Sequence, residues 1–431
     1  MNRGLKLALA IYLASLVVLV LSQSFSLAAD PTVVTFLTQG NPQYLQNTRT
    51  VLDAVERANP GIKIDMIVAE RSANEEVQVM IAGGVAPDIV RLTNNGTLDL
   101  GVLGLLTDLT PFIERDPDVD FNDFYVPAFQ SLAWEGRTFA LPMALSIDVP
   151  FINTDLFDAA GSAYPDETWS WEEDMIAVGR RITRDVNNDG RIDQYFLSRL
   201  APFHWKAFLF AAGGKFFTND TPRRFAANTE AGIESLQFMA DLINVHGIAP
   251  PEGQWVQFAT GNSAYELQGS FAVADNRLLQ HSFSWDLANI SQYKGGRATR
   301  VWPETPLAIP VTAQHKEEAW QVIKYITSEE GQNVIADLGL GTPFRLSVAR
   351  ERAQGDGQPP ANAMAVVDAL MAPQTDLYPR IVPGWDRMQE LLRSRATQPV
   401  LRGEKAPAQA LAEVEEAINA ILEEALANVR L

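Results

Sequence analysis

Three β-rich runs near the start of the chain constrain its fold most. VVTFLT (33–38) ends at QGNP, IKIDMIV (62–68) follows, and between them Tyr44, Leu45, Thr48, Val51, Leu52 and Val55 recur at helical spacing as far as NPG (59–61). A strand, an amphipathic helix and a second strand make a β-α-β unit, the building block of α/β folds. VQVMIAGG (77–84) reads as the end of a further helix and DIVRL (88–92) as a buried strand. The alternation points to an α/β class with more than one sheet.

Further along, Ser170 and Glu173 fit a capping box for a helix through Ile182, in which the serine oxygen accepts a backbone N–H and the glutamate reaches back. Asn228 or Thr229 begins another helix that stops at Gly247, KEEAWQVIKYI (316–326) starts a helix pair, and a last helix covers about 408–429. That helix places Leu411, Val414, Ile418, Ile421, Leu422 and Ala425 on one stripe. AQGDGQPP (353–360) reads as a surface loop. At 431 residues the chain exceeds one ordinary core, yet no flexible linker divides it. The expectation is two or three domains between which the chain crosses several times.

The N-terminus has a basic start (Arg3, Lys6), an apolar run from Leu7 to Leu21 and small residues before Asp30, the layout of a secretory signal cleaved after Ala28 or Ala29. That run, 15 residues including Ser15, falls short of the ~20 that span a bilayer. With no cysteine anywhere, disulfides, thiol catalysis, Cys-ligated metals and a lipid-modified cysteine are all excluded. The compartment expected is the periplasm. Cleavage takes the formal charge from −19 to −21, because two cations leave and no anion does. A field of that sign opposes nucleic acid and anionic lipid surfaces.

Common catalytic signatures are absent, and the histidines (204, 246, 281, 315) are scattered rather than placed at i, i+4. His246, beside Gly247, reads as a helix C-terminal cation, and His204 as either a ligand contact or a packed residue. Glu135, Asp148, Glu266 and Glu304 lie near loops or strand ends, where two could form a glycosidase pair; solvated or hydrogen-bonding roles fit them better. Tryptophan says more: WEGR (134–137), HWK (204–206), GQW (253–255), SWD (284–286), VWPE (301–304) and PGWD (383–386) sit in polar, loop-like contexts. Each alone could staple a loop to a core. As a set beside Asn, Gln and Asp, they suit carbohydrate, whose C–H faces pack on indoles while its hydroxyls take hydrogen bonds.

These segments then fall into a known order. VERANPGIKIDMI, AGGVAPDIVRL, WEGRTFALPMALSIDVPFINTDLF, TWSWEEDMIAVGRRIT, FATGNSAYELQGSFAV, EEAWQVIKYITSEEGQNVIADLGLGTPFR and GEKAPAQALAEVEEAINAIL together resemble the family 1 extracellular solute-binding proteins, the maltose-binding-protein-like sugar-binding subunits of ABC importers. The resemblance covers essentially the whole mature chain. It implies a two-lobed, class II-like periplasmic binding fold, with residues 29–145 plus 304–343 in the N-lobe and 146–303 plus 344–431 in the C-lobe. Crossovers are expected near 144–146, 303–307 and 341–345, with the ligand cleft between the lobes.

Carried over by position, the resemblance implies that Gln39, Gly40, Asn41, Asp88 and Asn94 line the N-lobe wall. Ser146 falls in the first crossover, Trp205, Gln268 and Ser270 come from the C-lobe, Trp302 and Glu304 lie near the second crossover, and Trp385 stands where members carry a sugar-stacking aromatic. The family's "YN" is Phe151-Ile152-Asn153 here, so ligand identity does not transfer from any one member. The implied protein is a non-enzymatic monomer that hands a sugar to the permease subunits of an ABC transporter. Binders of glycerol phosphate or polyamines are alternatives: Asp88, Glu135 and Glu304 keep polyamines open, whereas the absent Tyr-Tyr disfavours iron. A secreted carbohydrate-active enzyme is the reading from another class.

One further motif stands apart. DVNNDGRIDQYF (185–196) places Asp185, Asn187, Asp189 and Asp193 at positions 1, 3, 5 and 9 of an EF-hand, Gly190 at the turn and Arg191 at the backbone-carbonyl position, but Phe196 replaces the bidentate glutamate. Some alginate-binding relatives hold calcium in a similar short loop, with the tenth position, here Gln194, contributing. A structural calcium is therefore expected as a possibility beside a run of Asx-turns, and no cofactor is required.

Overall fold

The computed structural model describes residues 30–116, 119, 121–218, 223–279, 281–355, 357–372 and 382–430. The expected signal segment lies outside them. Among the described residues, no helix is long and apolar enough to cross a membrane.

The β-α-β unit forms as the pattern requires. β1 (Thr32–Thr38) and β2 (Ile62–Val68) pair in parallel from Thr32↔Ile62 to Thr38↔Val68, and the helix Pro42–Ala58 connects them. β3 (Ile89–Arg91) adds to the other side of β1, also parallel. A tight hairpin, β4 (Ala133–Trp134) and β5 (Arg137–Thr138), turns through Glu135 and Gly136, both at positive φ. The long strand β6 (Leu141–Asn153) then follows, buried at every position.

The rest of the sheet is built on β6. Its first half pairs antiparallel with β10 (Val301–Ala308), and its second half with β8 (Ser263–Gly269) and β9 (Trp285–Leu287). β7 (Tyr195–Leu197) extends the far edge, so the order is β2-β1-β3-β10-β6-β8-β7 with β9 also on β6. There is more than one sheet, as the alternation implies: this eight-stranded ladder and the two-stranded β4–β5 hairpin. The ladder is continuous across both halves because the 13-residue β6 exceeds what either set of partners covers.

Two large cores flank this ladder. One gathers Phe208, Met239, Leu411 and Ile418 under the helices of the C-terminal half; the other seats the helices Pro42–Ala58 and Lys316–Thr327 on the sheet through Val34, Val51, Leu145 and Val322. Helix signals are mostly obeyed. Thr229 caps Glu230–Asn244, and the last helix runs Pro407–Ala427 with Leu411, Val414, Ile418 and Leu422 buried. At Ser170 the box differs: its Oγ accepts the Glu173 N–H (3.1 Å), but Asp174, not Glu173, reaches back to the Ser170 N–H (2.9 Å). The first turn, Trp171–Met175, is π-wide, which moves the reciprocating acid one residue on.

Three segments lie side by side at the middle of β6. Leu145 exchanges both backbone hydrogen bonds with Thr342 (2.7 and 2.9 Å), while Pro303 of β10 stands opposite it on the other side. Because Leu145 spends its N–H and C=O on Thr342, the missing N–H of Pro303 costs no ladder bond. Gly341 makes the close approach possible: at φ 141° it leaves room where a Cβ would come within 2.7 Å of the Ala144 Cβ. Replacing Gly341 by Ala is expected to cost about 1–3 kcal/mol in urea unfolding through strain alone; unchanged stability would mean these strands can part freely.

Candidate ligand-binding site

β10 reads R-x-W-x-E, and in a strand alternate residues share a face. Arg300, just before the strand, and Trp302 and Glu304 within it therefore form a row. The register sets Trp302 opposite Ser146 and Glu304 opposite Ala144. The small partners leave space above the row, and a cavity of about 260 Å³ lies there, walled also by Arg91, Thr93, Asn94, Asn95 and Trp385.

The row is internally bonded. Asp148 receives Arg300 in a bidentate pair (2.7 and 3.0 Å), the guanidinium stacks 4.2 Å from the Trp302 ring centroid, and Trp302 Nε1 donates to Glu304 Oε2 at 2.9 Å. Such a chain fixes the indole plane and leaves the second Glu304 oxygen as an acceptor. Burial pushes the Glu304 carboxyl above its ordinary range, against the opposing pull of the Trp302 N–H, Arg91 and Arg300. Arg91 donates to the Gln39 carbonyl and lies 4.5 Å over the Tyr44 ring, which aligns its fork beside Glu304.

Thr305, in the same wall, has φ 51°, an uncommon conformation for a β-branched residue. The β6–β10 register is the same on either side of it, Glu304↔Ala144 and Pro306↔Pro142. Two helices also begin at the cavity, Asn94–Val102 behind its Thr93 cap and Trp385–Leu392 behind Gly384.

Of the residues expected from the sequence, the cavity gathers Asn94, Trp302, Glu304 and Trp385. Trp385 reaches it only by an edge, since it is 1% exposed and its ring packs on Phe216, Phe217 and the Lys206 amine. Ser146 stands opposite Trp302 but does not line the cavity; its buried Oγ has no partner among the described residues and lies 2.7 Å from where a Cβ on Gly269 would stand. Gln39 Oε1 accepts the Ala73 N–H (2.6 Å) at the start of the helix Ala73–Ala82, Asn41 caps Pro42–Ala58 through the Tyr44 N–H (2.8 Å), and Gly40 gives clearance to the Tyr44 ring.

Asp88 is spent elsewhere. Its carboxylate takes Thr35 N–H and hydroxyl (both 2.9 Å) and the N–H groups of Gln314 (3.2 Å) and His315 (2.9 Å). Burial would raise its pKa, but these donors outweigh burial and lower it. Trp205 is fully buried, its Nε1 bonded to Ser235 Oγ (2.8 Å) and Gly232 O (3.2 Å). Ser270 bonds the Thr342 hydroxyl at 2.7 Å, and Gln268 stands opposite Val149 on the other face of β8.

Neither His204 nor His246 is a cation poised for ligand. His204 is buried, held neutral by burial and by Arg300 and Arg199. His246 is also lowered, by burial and by Arg180, whose guanidinium meets Nδ1 at 2.7 Å, which corrects its reading as a helix-end charge.

The 185–194 loop does not form an oxygen cage. Asp185 accepts the N–H of Gly190 (2.7 Å), Asn187 that of Asp189 (2.8 Å), Asp189 that of Arg191 (2.9 Å) and Asp193 that of Val186 (2.8 Å). Gln194 is buried and donates to the Ile182 carbonyl (2.7 Å). Among the described residues, no three His, Asp or Glu side chains converge closely enough to hold a metal ion. In this arrangement the side-chain oxygens of the loop accept its own backbone N–H groups, as in a chain of Asx-turns.

Arg91, Thr93, Asn95, Arg300 and Thr305 join the site without having been picked out from the sequence. The alternation R-x-W-x-E was the available signal, but Pro303 and Pro306 made the stretch read as loop.

Comparisons with known proteins agree with this architecture. The family model for bacterial extracellular solute-binding protein matches residues 42–333, more than half of the chain. The chain therefore belongs to that family. Among solved structures it is similar to an ABC substrate-binding protein from Listeria monocytogenes in complex with cycloalternan (24% identity, TM-score 0.77, 91% of this chain and 100% of that one). It is also similar to the sugar-binding protein MalE from Xanthomonas citri (22% identity, TM-score 0.77, 91% and 98%). A putative binding protein from Brucella abortus is 20% identical over 381 residues, 86% of this chain and 89% of the relative.

Ionising Glu304 works against the fold, because its pKa is raised on folding. Its contribution to stability is present below the ordinary glutamate range and is lost as pH rises through the raised value. Glu304→Gln, which keeps an acceptor for Trp302, should thus gain on wild type in urea unfolding as pH goes from acid to neutral. A constant difference across pH would contradict the assignment.

Proposed function

We propose that the protein captures a sugar in the cavity over the Arg300–Trp302–Glu304 row and delivers it, chemically unchanged, to an ABC importer. The observation that carries this reading is the row itself: a fixed indole face flanked by an acceptor, Glu304, and donors, Arg91 and Asn94, the combination that matches the C–H face and hydroxyl edge of a pyranose. The Listeria relative holds cycloalternan and the Xanthomonas relative is a sugar-binding protein, which adds support.

The division into lobes, 29–145 plus 304–343 and 146–303 plus 344–431, belongs to this proposal. It is supported by the partner switch of β6 between β10 and β8 at Ile147–Asp148. The protein acts as a monomer in the periplasm, as expected of an extracellular solute-binding family, with the permease subunits as its partner. A polyamine would want several open carboxylates, whereas Asp88 is saturated and Glu135 lies in the exposed hairpin turn. A glycosidase would want two free acids, whereas Asp148 is locked to Arg300.

A thermal-shift panel of mono- and disaccharides, alditols, glycerol phosphates and polyamines tests the reading. A sugar should raise the melting temperature and be recovered intact. Trp302→Ala should weaken its binding about tenfold or more, ~1.4 kcal/mol per tenfold, while the ligand-free variant stays folded; equal affinity would remove Trp302 from the site. For the 185–194 loop we infer a self-closed turn, so calcium and chelator should leave the melting temperature alike. A rise with calcium would show that the carboxylates rearrange around an ion.

A further inference from the structure

The helix Trp385–Leu392 starts at Gly384, a residue that has no side chain with which to cap it. Its anion comes from far away in the sequence: Asp99 Oδ1 accepts the Gly384 N–H at 3.2 Å. One turn earlier on the helix Asn94–Val102, the Asn95 amide donates to Asp386. Asn95, Leu98, Asp99 and Val102 follow the i, i+3, i+4, i+7 spacing of a single helix face. Leu98 and Val102 are 0% and 3% exposed and share a core with Trp385, Met388 and Leu422. The Val102 carbonyl accepts the Arg430 N–H at 2.8 Å.

We propose that this face is a latch across the ligand cleft: a helix of the N-lobe supplies the cap and apolar backing that the helix Trp385–Leu392 of the C-lobe lacks, so that closure is bonded directly between lobes. The inference rests on the lobe division and the cavity given under Proposed function. Helix N-termini favour an anion, so opening the cleft leaves the Gly384 N–H without its acceptor and exposes Leu98 and Val102. Burial raises the Asp99 carboxyl, with Asp386 adding to the rise and Gly384 opposing it, so this acid is held in a site that favours its charge only through that bond.

The latch also bears on ligand class. Asn95 and Trp385 belong both to the latch and to the cavity wall, so this wall is built by the same contacts that join the lobes. A space of about 260 Å³ bounded by this wall holds one or two pyranose rings. The substrate class is a short saccharide.

The chain has no cysteine, so Val79→Cys and Glu423→Cys, both at exposed positions, can carry a unique pair of spin labels. Pulsed dipolar distances in ligand-free protein should show a short component that Asp99→Ala and Asn95→Ala each shift toward longer distance, with circular dichroism confirming that both fold. Distributions equal to wild type in both variants would overturn the latch. In parallel, glucose, maltose and maltotetraose, with galactose- and xylose-based counterparts, are titrated by calorimetry. Mono- or disaccharide binding, faster to dissociate in the latch variants, is expected; tetrasaccharide binding as tight as that of the disaccharide would overturn the length limit. Should no sugar bind, the sugar reading falls, and the distances, which need no ligand, still decide the latch.

Discussion

The pairing of β6 with β10 is the constraint on which the rest of the structure depends. β6 is buried along its full length, so every residue on it must be satisfied by a neighbour. It does this by changing partners: β10 and Thr342 in its first half, β8 and β9 in its second. Both cores rest on this strand, Leu145, Ile147 and Phe151 facing one and Ile152 the other. The same alternation turns Ala144, Ser146 and Asp148 to the face on which Arg300, Trp302 and Glu304 stand, so the register that joins the molecule also builds its cavity.

The electrostatics of that cavity are balanced. Arg300 is neutralised by Asp148, and Arg91 stands beside Glu304 without a direct ion pair between them among the described contacts. A buried acid and a guanidinium that are each half engaged can offer an acceptor and a donor to adjacent hydroxyls, at a smaller desolvation cost than binding a full charge would carry. A neutral polyhydroxylated ligand suits such a site better than an ion. Thr305, at φ 51° in the same wall, places backbone strain beside the cavity while the β6–β10 register runs on unchanged.

Much of this was legible in the sequence. The β-α-β opening, the helix caps at Thr229 and Ser170 and the stripe of the last helix follow from periodicity and capping chemistry, and they stand where local rules place them. Of the residues that the resemblance implies, Asn94, Trp302 and Glu304 border the cavity. Other residues were drawn there by the same resemblance but are consumed by the fold: Asp88 ties Thr35 to the start of the helix Lys316–Thr327, and Asn41 caps its own helix. Trp205 and Trp385 looked like loop aromatics because their neighbours are polar, yet burial is decided by distant partners such as Ser235 and Phe216. Arg300 and Arg91 carry no local signal of their place at the cavity. Their place depends on strand register, which local sequence carries poorly where prolines interrupt it.

The most direct measurement is a crystal structure of the protein with the sugar selected by the thermal-shift panel. The account predicts one sugar per chain, its ring on Trp302 and its hydroxyls on Glu304, Arg91 and Asn94, with Asp99 still bonded to Gly384. Density for the sugar outside this cavity, or an empty cavity in protein that binds the sugar in solution, would contradict it.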